Sequence, residues 1–199
     1  MSSRELSVHT EHEFLLKMEK AGLDEEQAQA VIESGKNKLA QELVDLIRSH
    51  LGPIADDWAS VVVDYSRFTL ADMIAACRYK SVDRRITTER FPVKGEGRVE
   101  LNMAILHFGK AMTTKNVIAG LEHSSFRPAK IEELLTLCKE RPGLQAKFSI
   151  VALGSVWNDS SGMPQFVASL NTNLVSTSAS AGTLWADPYR FAAVKKENS

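Results

Sequence analysis

Five histidines, two cysteines and a handful of acidic and basic clusters are the residues of this chain that could do chemistry, and their spacing rules out most of it. His9, His12, His50, His107 and His123 never reach the HxxxH or HExxH spacing that puts two imidazoles on one helix face for zinc. Cys77 and Cys138 stand 61 residues apart with no CxxC, so each reads as a small buried apolar residue rather than a metal or redox site. Ser155 sits in LGSVW without the Gly-x-Ser-x-Gly elbow that exposes a nucleophile, and reads as a strand serine. Val93-Lys94-Gly95-Glu96-Gly97 has two glycines two apart, but lacks the following helix and the third glycine or Lys-Ser/Thr that a phosphate loop needs. Asp64 and Tyr65 close a β-branched run and read first as a strand-end turn. Arg78, Lys80, Arg84, Arg85 and Arg90 form the most basic stretch; without interleaved aromatics it reads as a solvated or partner-facing patch, and a nucleic-acid-binding or regulatory module is the alternative function it suggests. No cofactor is implied, and no enzyme activity is expected.

The elements that must position these residues follow from periodicity. From Glu11 to about His50 apolar stripes at three- and four-residue spacing, with stops at Gly22 and Gly35, predict an N-terminal helical appendage over 1–55. Val61-Val62-Val63 opens the main domain, 56–199, as a buried strand. Thr69 predicts a helix cap before Leu70, Met73, Ile74 and Cys77, and Ile86 to Phe91 reads as a strand. Val99 to His107 alternates with period two, which predicts a strand with one buried face. Thr113 or Thr114 opens one helix; Ile131, Leu134, Leu135 and Cys138 mark another, with Glu132 and Glu133 in its first turn. FSIVALGSV and YRFAAV are near-continuous apolar strands.

Between those last two strands the composition changes. The 42 residues from Phe148 to Tyr189 contain no Lys, Arg or Glu, and only Asp159 and Asp187 are charged, where average usage predicts roughly ten charged residues. Six Ser, three Thr and three Asn occupy 158–189. Phe166, Val167, Leu170, Leu174, Val175, Leu184 and Trp185 lie among them, so the segment is expected to fold onto the core and not to wave as a linker. Its outward vocabulary of Asn, Ser, Thr and Tyr is the one antibody paratopes use. A ligand-binding patch is therefore expected among Asn158, Ser160, Gln165, Ser169, Asn171, Asn173, Ser176, Ser178, Ser180, Thr183, Asp187 and Tyr189.

The blocks VVVDY, FPVKGEGRVELN, RPAKIEELLTL, LQAKFSIVALGSVW and YRFAAVKK, in that order from about Val61 to Lys196, resemble a family of bacterial hypothetical proteins from candidate-phylum genomes. The end of the chain is similar to the variable proteins of diversity-generating retroelements. That resemblance implies an α+β, C-type lectin-like domain, with mixed, mainly antiparallel strands and two helices, displaying a diversified surface to a protein or glycan ligand. It also implies adenine-directed mutagenesis, which yields no Lys, Glu or Trp from an Asn codon, so Trp157 and Trp185 would be fixed scaffold. The formylglycine-generating enzymes of the same fold need a late cysteine pair, and this chain has neither Cys nor His after Cys138. Calcium-dependent sugar binding lacks its ligands too, because two isolated late Asp residues and no Glu do not make a site.

The formal charge of -1 supplies no global attraction to nucleic acid or to an anionic membrane. The charged N-terminal stretch lacks the apolar run of a signal peptide, which predicts a cytoplasmic protein, with export or packaging in a particle by another route as the alternative.

Overall fold

The computed structural model of the chain describes residues 52–178 and 184–197, together with Lys20 and Gly22. The helices expected between Glu11 and His50 lie outside the described residues, as do Ser180 and Thr183. The chain divides into two units, Met1–Ile47 and Arg48–Ser199, and the elements below belong to the second.

In chain order these are β1 (Ile54–Asp64), α1 (Leu70–Ala76), β2 (Ser81–Val82), β3 (Arg98–His107), β4 (Met112–Thr113), α2 (Thr114–His123), β5 (Phe126–Pro128), α3 (Ile131–Glu140), α4 (Leu144–Lys147), β6 (Ser149–Asn158), β7 (Pro164–Leu170), β8 (Asn173–Ser178), β9 (Leu184–Trp185) and β10 (Tyr189–Lys195). The class is α+β. The main sheet runs β1-β3-β10-β6-β7-β8-β2, with β5 also on β10, while β4 and β9 form a separate ribbon. Pairing is antiparallel except for β10 with β6 and β2 with β8.

Side chains opposite one another across a ladder share a face, so the register sorts the core. Val61, Met103, Ile105, Ile150, Ala152, Val167, Leu174, Ala192 and Val194 belong to one buried cluster with residues of α1, α3 and α4. Ala104, Leu106, Val151, Leu153, Phe166, Ala168, Phe191 and Ala193 belong to a second with Val117 and Leu121 of α2 and with Trp185. The sheet is therefore covered on both sides, which is why β6 and β10 read as continuous apolar runs and not as alternating ones. The expectation of one buried face on β3 needs correcting for the same reason. Met103 to Leu106 are all buried, because β3 lies between β1 and β10 under both layers; only its outer half from Arg98 to Asn102 is open.

Local signals hold at two of the helix starts. The Thr69 side chain accepts from the Asp72 amide while Asp72 accepts from Thr69, a complete capping box. Thr113 caps α2 through the Asn116 amide. The strand expected at Ile86 to Phe91 is instead a pair of turns, with the Ile86 amide donating to Asp83 O and the Phe91 amide to Thr87 O. Ile86 and Phe91 are buried as plugs, so their hydrophobicity reflects anchoring of a loop and not strand pairing.

The aromatic cluster on the α2 side is centred on Phe191, which meets Phe108 at 5.8 Å and Trp185 at 6.1 Å, both edge-on. Truncating this side chain removes the common partner of both rings. Phe191→Ala is expected to cost about 3–5 kcal/mol of stability, measured by denaturant unfolding; a loss under about 1 kcal/mol would show that the cluster does not hold β10.

Candidate functional site

Four separate stretches of sequence meet at the N-terminus of α3, and the meeting point is built around buried carboxylates. Glu133 is fully buried and takes a bidentate ion pair from Arg127, Nη1 to Oε2 at 2.9 Å and Nη2 to Oε1 at 2.7 Å. It also accepts the Tyr65 hydroxyl at 2.9 Å and the Lys130 amide at 2.8 Å. Neighbouring Glu132, equally buried, accepts the Lys94 amide at 3.1 Å through Oε1, while its Oε2 has no partner among the described residues. Lys130 Nζ reaches Lys94 O at 2.5 Å, fastening the 91–97 loop to the helix.

Two glycines let these parts approach. A Cβ on Gly95 would stand 2.4 Å from the Tyr65 ring, and one on Gly154 would stand 2.7 Å from Ala129 O and Pro128 O. Ser155 then donates no chemistry of its own. Its Oγ accepts the Ile131 amide at 2.9 Å, satisfying one orphan donor of the first turn of α3.

A tyrosine, an arginine and two carboxylates in contact are the ingredients of acid–base catalysis, and their protonation is perturbed. Burial pushes Glu132 above the ordinary carboxylate range. Burial would do the same to Glu133, but the Arg127 and Lys130 donors outweigh it and hold that carboxyl below. Burial and the adjacent Glu133 raise Tyr65. With Glu132 and Glu133 at 0 % exposure, no substrate reaches either carboxylate, and the constellation reads as a lock on the helix N-terminus. The sequence pointed only to favourable helix-dipole placement for these residues; a buried pair is legible only once Arg127 is known to face them.

The positions expected to display a ligand surface divide into two groups. Gln165, Ser169 and Ser176 are corrected: they are buried at 3 %, 0 % and 5 % exposure and do not face solvent. The physical reason is parity, because the register opposes Val167 to Ser176 and Ser169 to Leu174, and Gln165 shares their face, which the α3 side of the core covers as far as Gln165 and leaves open only at Ser178, where β8 ends. Asn173 falls on the other parity and its Oδ1 accepts the Ser81 hydroxyl at 2.9 Å. Asn171 is exposed, but it lies in a tight turn where both it and Thr172 adopt positive φ, at 48° and 65°. That turn is anchored by Lys80 N to Thr172 O at 2.9 Å and Thr172 N to Gln145 O at 3.2 Å. Asp187 is exposed and meets His107 at 3.0 Å; Tyr189 is half-buried against Trp185 at 5.3 Å.

Asn158, Ser160 and Ser178 are exposed and gather at the opposite end of the β6-β7-β8 meander, joined there by exposed Ser161, which the sequence reading passed over. Asp159 organises this end. Its carboxylate accepts the Ser161 amide and hydroxyl at 2.9 and 2.6 Å, the Met163 amide at 3.1 Å and Gln165 Nε2 at 2.9 Å. Those donors hold the Asp159 carboxyl below its ordinary range.

Two members of the basic stretch, Arg85 and Arg90, also arrive here. Arg85 pairs with Asp83 at 2.7 Å and donates to Ser176 O at 2.8 Å, and Arg85 draws the Asp83 carboxyl down to about 2. Arg90 stacks on Trp157 at 4.4 Å. Cys77 and Cys138 are free, buried thiols, pushed up to about 12 and about 11 by burial, which keeps them protonated and unreactive. Asp64 caps a turn by accepting the Ser66 and Arg67 amides. A groove of about 420 Å³ lies between α1 and α3, floored by Val62, Met73 and Leu135 and walled by Phe68 and Lys139.

Tyr79 Oη, Ser169 Oγ and the Cys138 thiol lie together in the interior, and Gln145 Oε1 and Thr172 Oγ1 are buried as well.

In comparison with known proteins, the chain matches no family model, no curated protein and no solved structure.

The two adjacent carboxylates predict opposite pH behaviour. Glu132, raised in the fold, contributes stability that is complete below its unfolded value and is lost as pH rises through its folded value. Glu132→Gln should therefore raise the melting temperature at neutral pH, with the gain fading as pH falls toward about 4. Glu133, lowered in the fold, contributes stability above its unfolded value that is lost as pH falls through its folded value. Glu133→Gln should cost about 3–5 kcal/mol at neutral pH by leaving Arg127 unpaired, and less in acid. Thermal melts of both variants across pH check the pair, and a parallel response would show that the carboxylates share one role.

Proposed function

We propose that this chain is a non-enzymatic ligand-binding protein whose late segment presents short polar and aromatic side chains to a protein or glycan on a C-type lectin-like frame, as its likeness to diversity-generating retroelement variable proteins implies. The observation that carries the reading is the contrast within one meander. Ile150, Val151, Ala152, Val167, Ala168 and Leu174 are at 0 % exposure, while Asn158, Ser160, Ser161 and Ser178 stand in solvent at one end of the same strands. Recognition surfaces gain affinity when a rigid frame has already met the cost of ordering the loops it holds.

The topology supports the finer fold. β3 pairs antiparallel with the last strand β10, two ten-residue helices separate β3 from β6, and the β6-β7-β8 meander is followed by β10, which lies parallel to β6. No cofactor enters this reading. The presenting set is narrower than the sequence suggested: Asn158, Ser160, Ser161 and Ser178, with Asp187 and Tyr189 beside Trp185.

Randomising Asn158, Ser160, Ser161 and Ser178 together is the direct test. Most clones should melt within a few degrees of the parent, because exposed substitutions usually stay within about 0.5 kcal/mol each. Selection against immobilised proteins and glycans should recover binders from this library and none from an equal library at Gln165, Ser169 and Ser176. General unfolding of the first library would defeat the proposal. A salt-sensitive association with DNA or RNA, lost on neutralising Arg84, Arg85 and Arg90, would favour a nucleic-acid module instead. The encoding locus offers an independent check: a neighbouring reverse transcriptase gene and a near-repeat of the last stretch differing at adenines are the expected finding.

A further inference from the structure

We propose that two Asp–Arg pairs, Asp57 with Arg141 and Asp83 with Arg85, stand in for a missing neighbour strand at the two ends of the main sheet and so keep a second copy of this chain from adding to either end. The sheet begins with β1 and finishes with β8 and the two-residue β2. Among the described residues no strand pairs with the outer side of β1 or, beyond Leu174, with the outer side of β8. An open edge of this kind offers unpaired N–H and C=O groups that another strand can take.

The more hazardous edge is β1. It runs for 11 residues, carries the β-branched run Val61-Val62-Val63, and leaves Ile54 and Trp58 more than half exposed. Its register with β3 sets Trp58 opposite Ala104. In an antiparallel ladder a residue turns both its backbone groups toward the partner strand or both away. Those of Trp58 turn away, because its N–H donates to Asp57 Oδ1 at 2.8 Å and its carbonyl accepts Arg141 Nη2 at 3.3 Å. The two side chains stand 4.0 Å apart, Nη1 to Oδ1. Asp57 comes from the strand itself, and Arg141 is the residue that closes α3.

The same arrangement recurs on β8. Ser176 lies opposite Val167; its N–H donates to Asp83 Oδ2 at 3.3 Å and its carbonyl accepts Arg85 Nη2 at 2.8 Å. Asp83 and Arg85 are themselves paired at 2.7 Å. Asp83 follows β2 directly, and its own N–H bonds Leu174 O at 2.9 Å, so these side chains carry on the pairing where the backbone of β2 stops. A carboxylate accepts and a guanidinium donates, so one pair satisfies both backbone groups of one edge residue as a strand would, and ends the ladder there. Unrelated stretches of sequence reach this solution at both ends of one sheet, whatever the exposed end of the meander recognises.

The experiment compares the full chain with Asp57→Ala/Arg141→Ala and with Asp83→Ala/Arg85→Ala by sedimentation velocity over a range of concentrations. Lys110→Ala/Glu122→Ala is the control, since it too loses one acid and one base from exposed positions. Each of the first two variants should self-associate at least about tenfold more tightly than the parent and the control. When dilute, the variant should exchange its Trp58 or Ser176 amide at least about tenfold faster than the parent, and should regain protection there as it associates, while amides in the centre of β10 keep their rates. Should a double variant fail to fold, Arg141→Ala or Arg85→Ala alone replaces it. A folded variant that associates no more than the control, or that associates without protecting its edge amide, would overturn the proposal.

Discussion

The Glu133 carboxylate, buried at the first turn of α3, is the constraint from which most of the fold can be traced. Its lone pairs are taken by Arg127 and the Lys130 amide from the residues just before it and by Tyr65 from 68 residues away, so the end of β1 must meet the 127–133 stretch before the charge can be buried. Arg127 in turn lies in β5, paired to Val194 of the last strand, and Tyr65 follows the end of β1. A buried ion pair is a weak source of net stability, because desolvation takes back much of the Coulomb gain. What it supplies is specificity: an arrangement that left Glu133 without Arg127 would bury an uncompensated charge.

That requirement explains why glycine and small polar residues occupy the positions around it. Gly95 and Gly154 remove atoms that would collide with the Tyr65 ring and the 128–129 backbone, and Ser155 supplies the acceptor that the first turn of α3 lacks.

Downstream of the lock, the same sheet separates support from surface. Because helices cover one side and α2 with Trp185 covers the other, strand β7, the first half of β6 and the centre of β10 have almost no free face, and the exposed residues of the meander lie toward its ends. One end is tied to Lys80 and Gln145; the other is shaped by Asp159, whose carboxylate folds the β6-β7 connection on itself. Of the basic stretch, Arg85 and Arg90 brace this second end through Ser176 O and Trp157.

Helix starts at Thr69 and Thr113, the strands at Val61, Val99, Phe148 and Tyr189, the burial of both cysteines and the folding of the described part of the late segment were legible from residue order alone. Each rests on local chemistry, either a side chain bonding an amide three residues away or an apolar run of strand length. The turns at 83–91, the double burial of Met103 to Leu106, the depth of Glu132 and Glu133 and the loss of Gln165, Ser169 and Ser176 from the surface were not. A strand's period says that alternate residues share a face, but not whether that face meets water or a helix. That depends on which elements pack above it, and so on contacts such as Tyr65 with Glu133 and Arg85 with Ser176 that only the tertiary structure brings together.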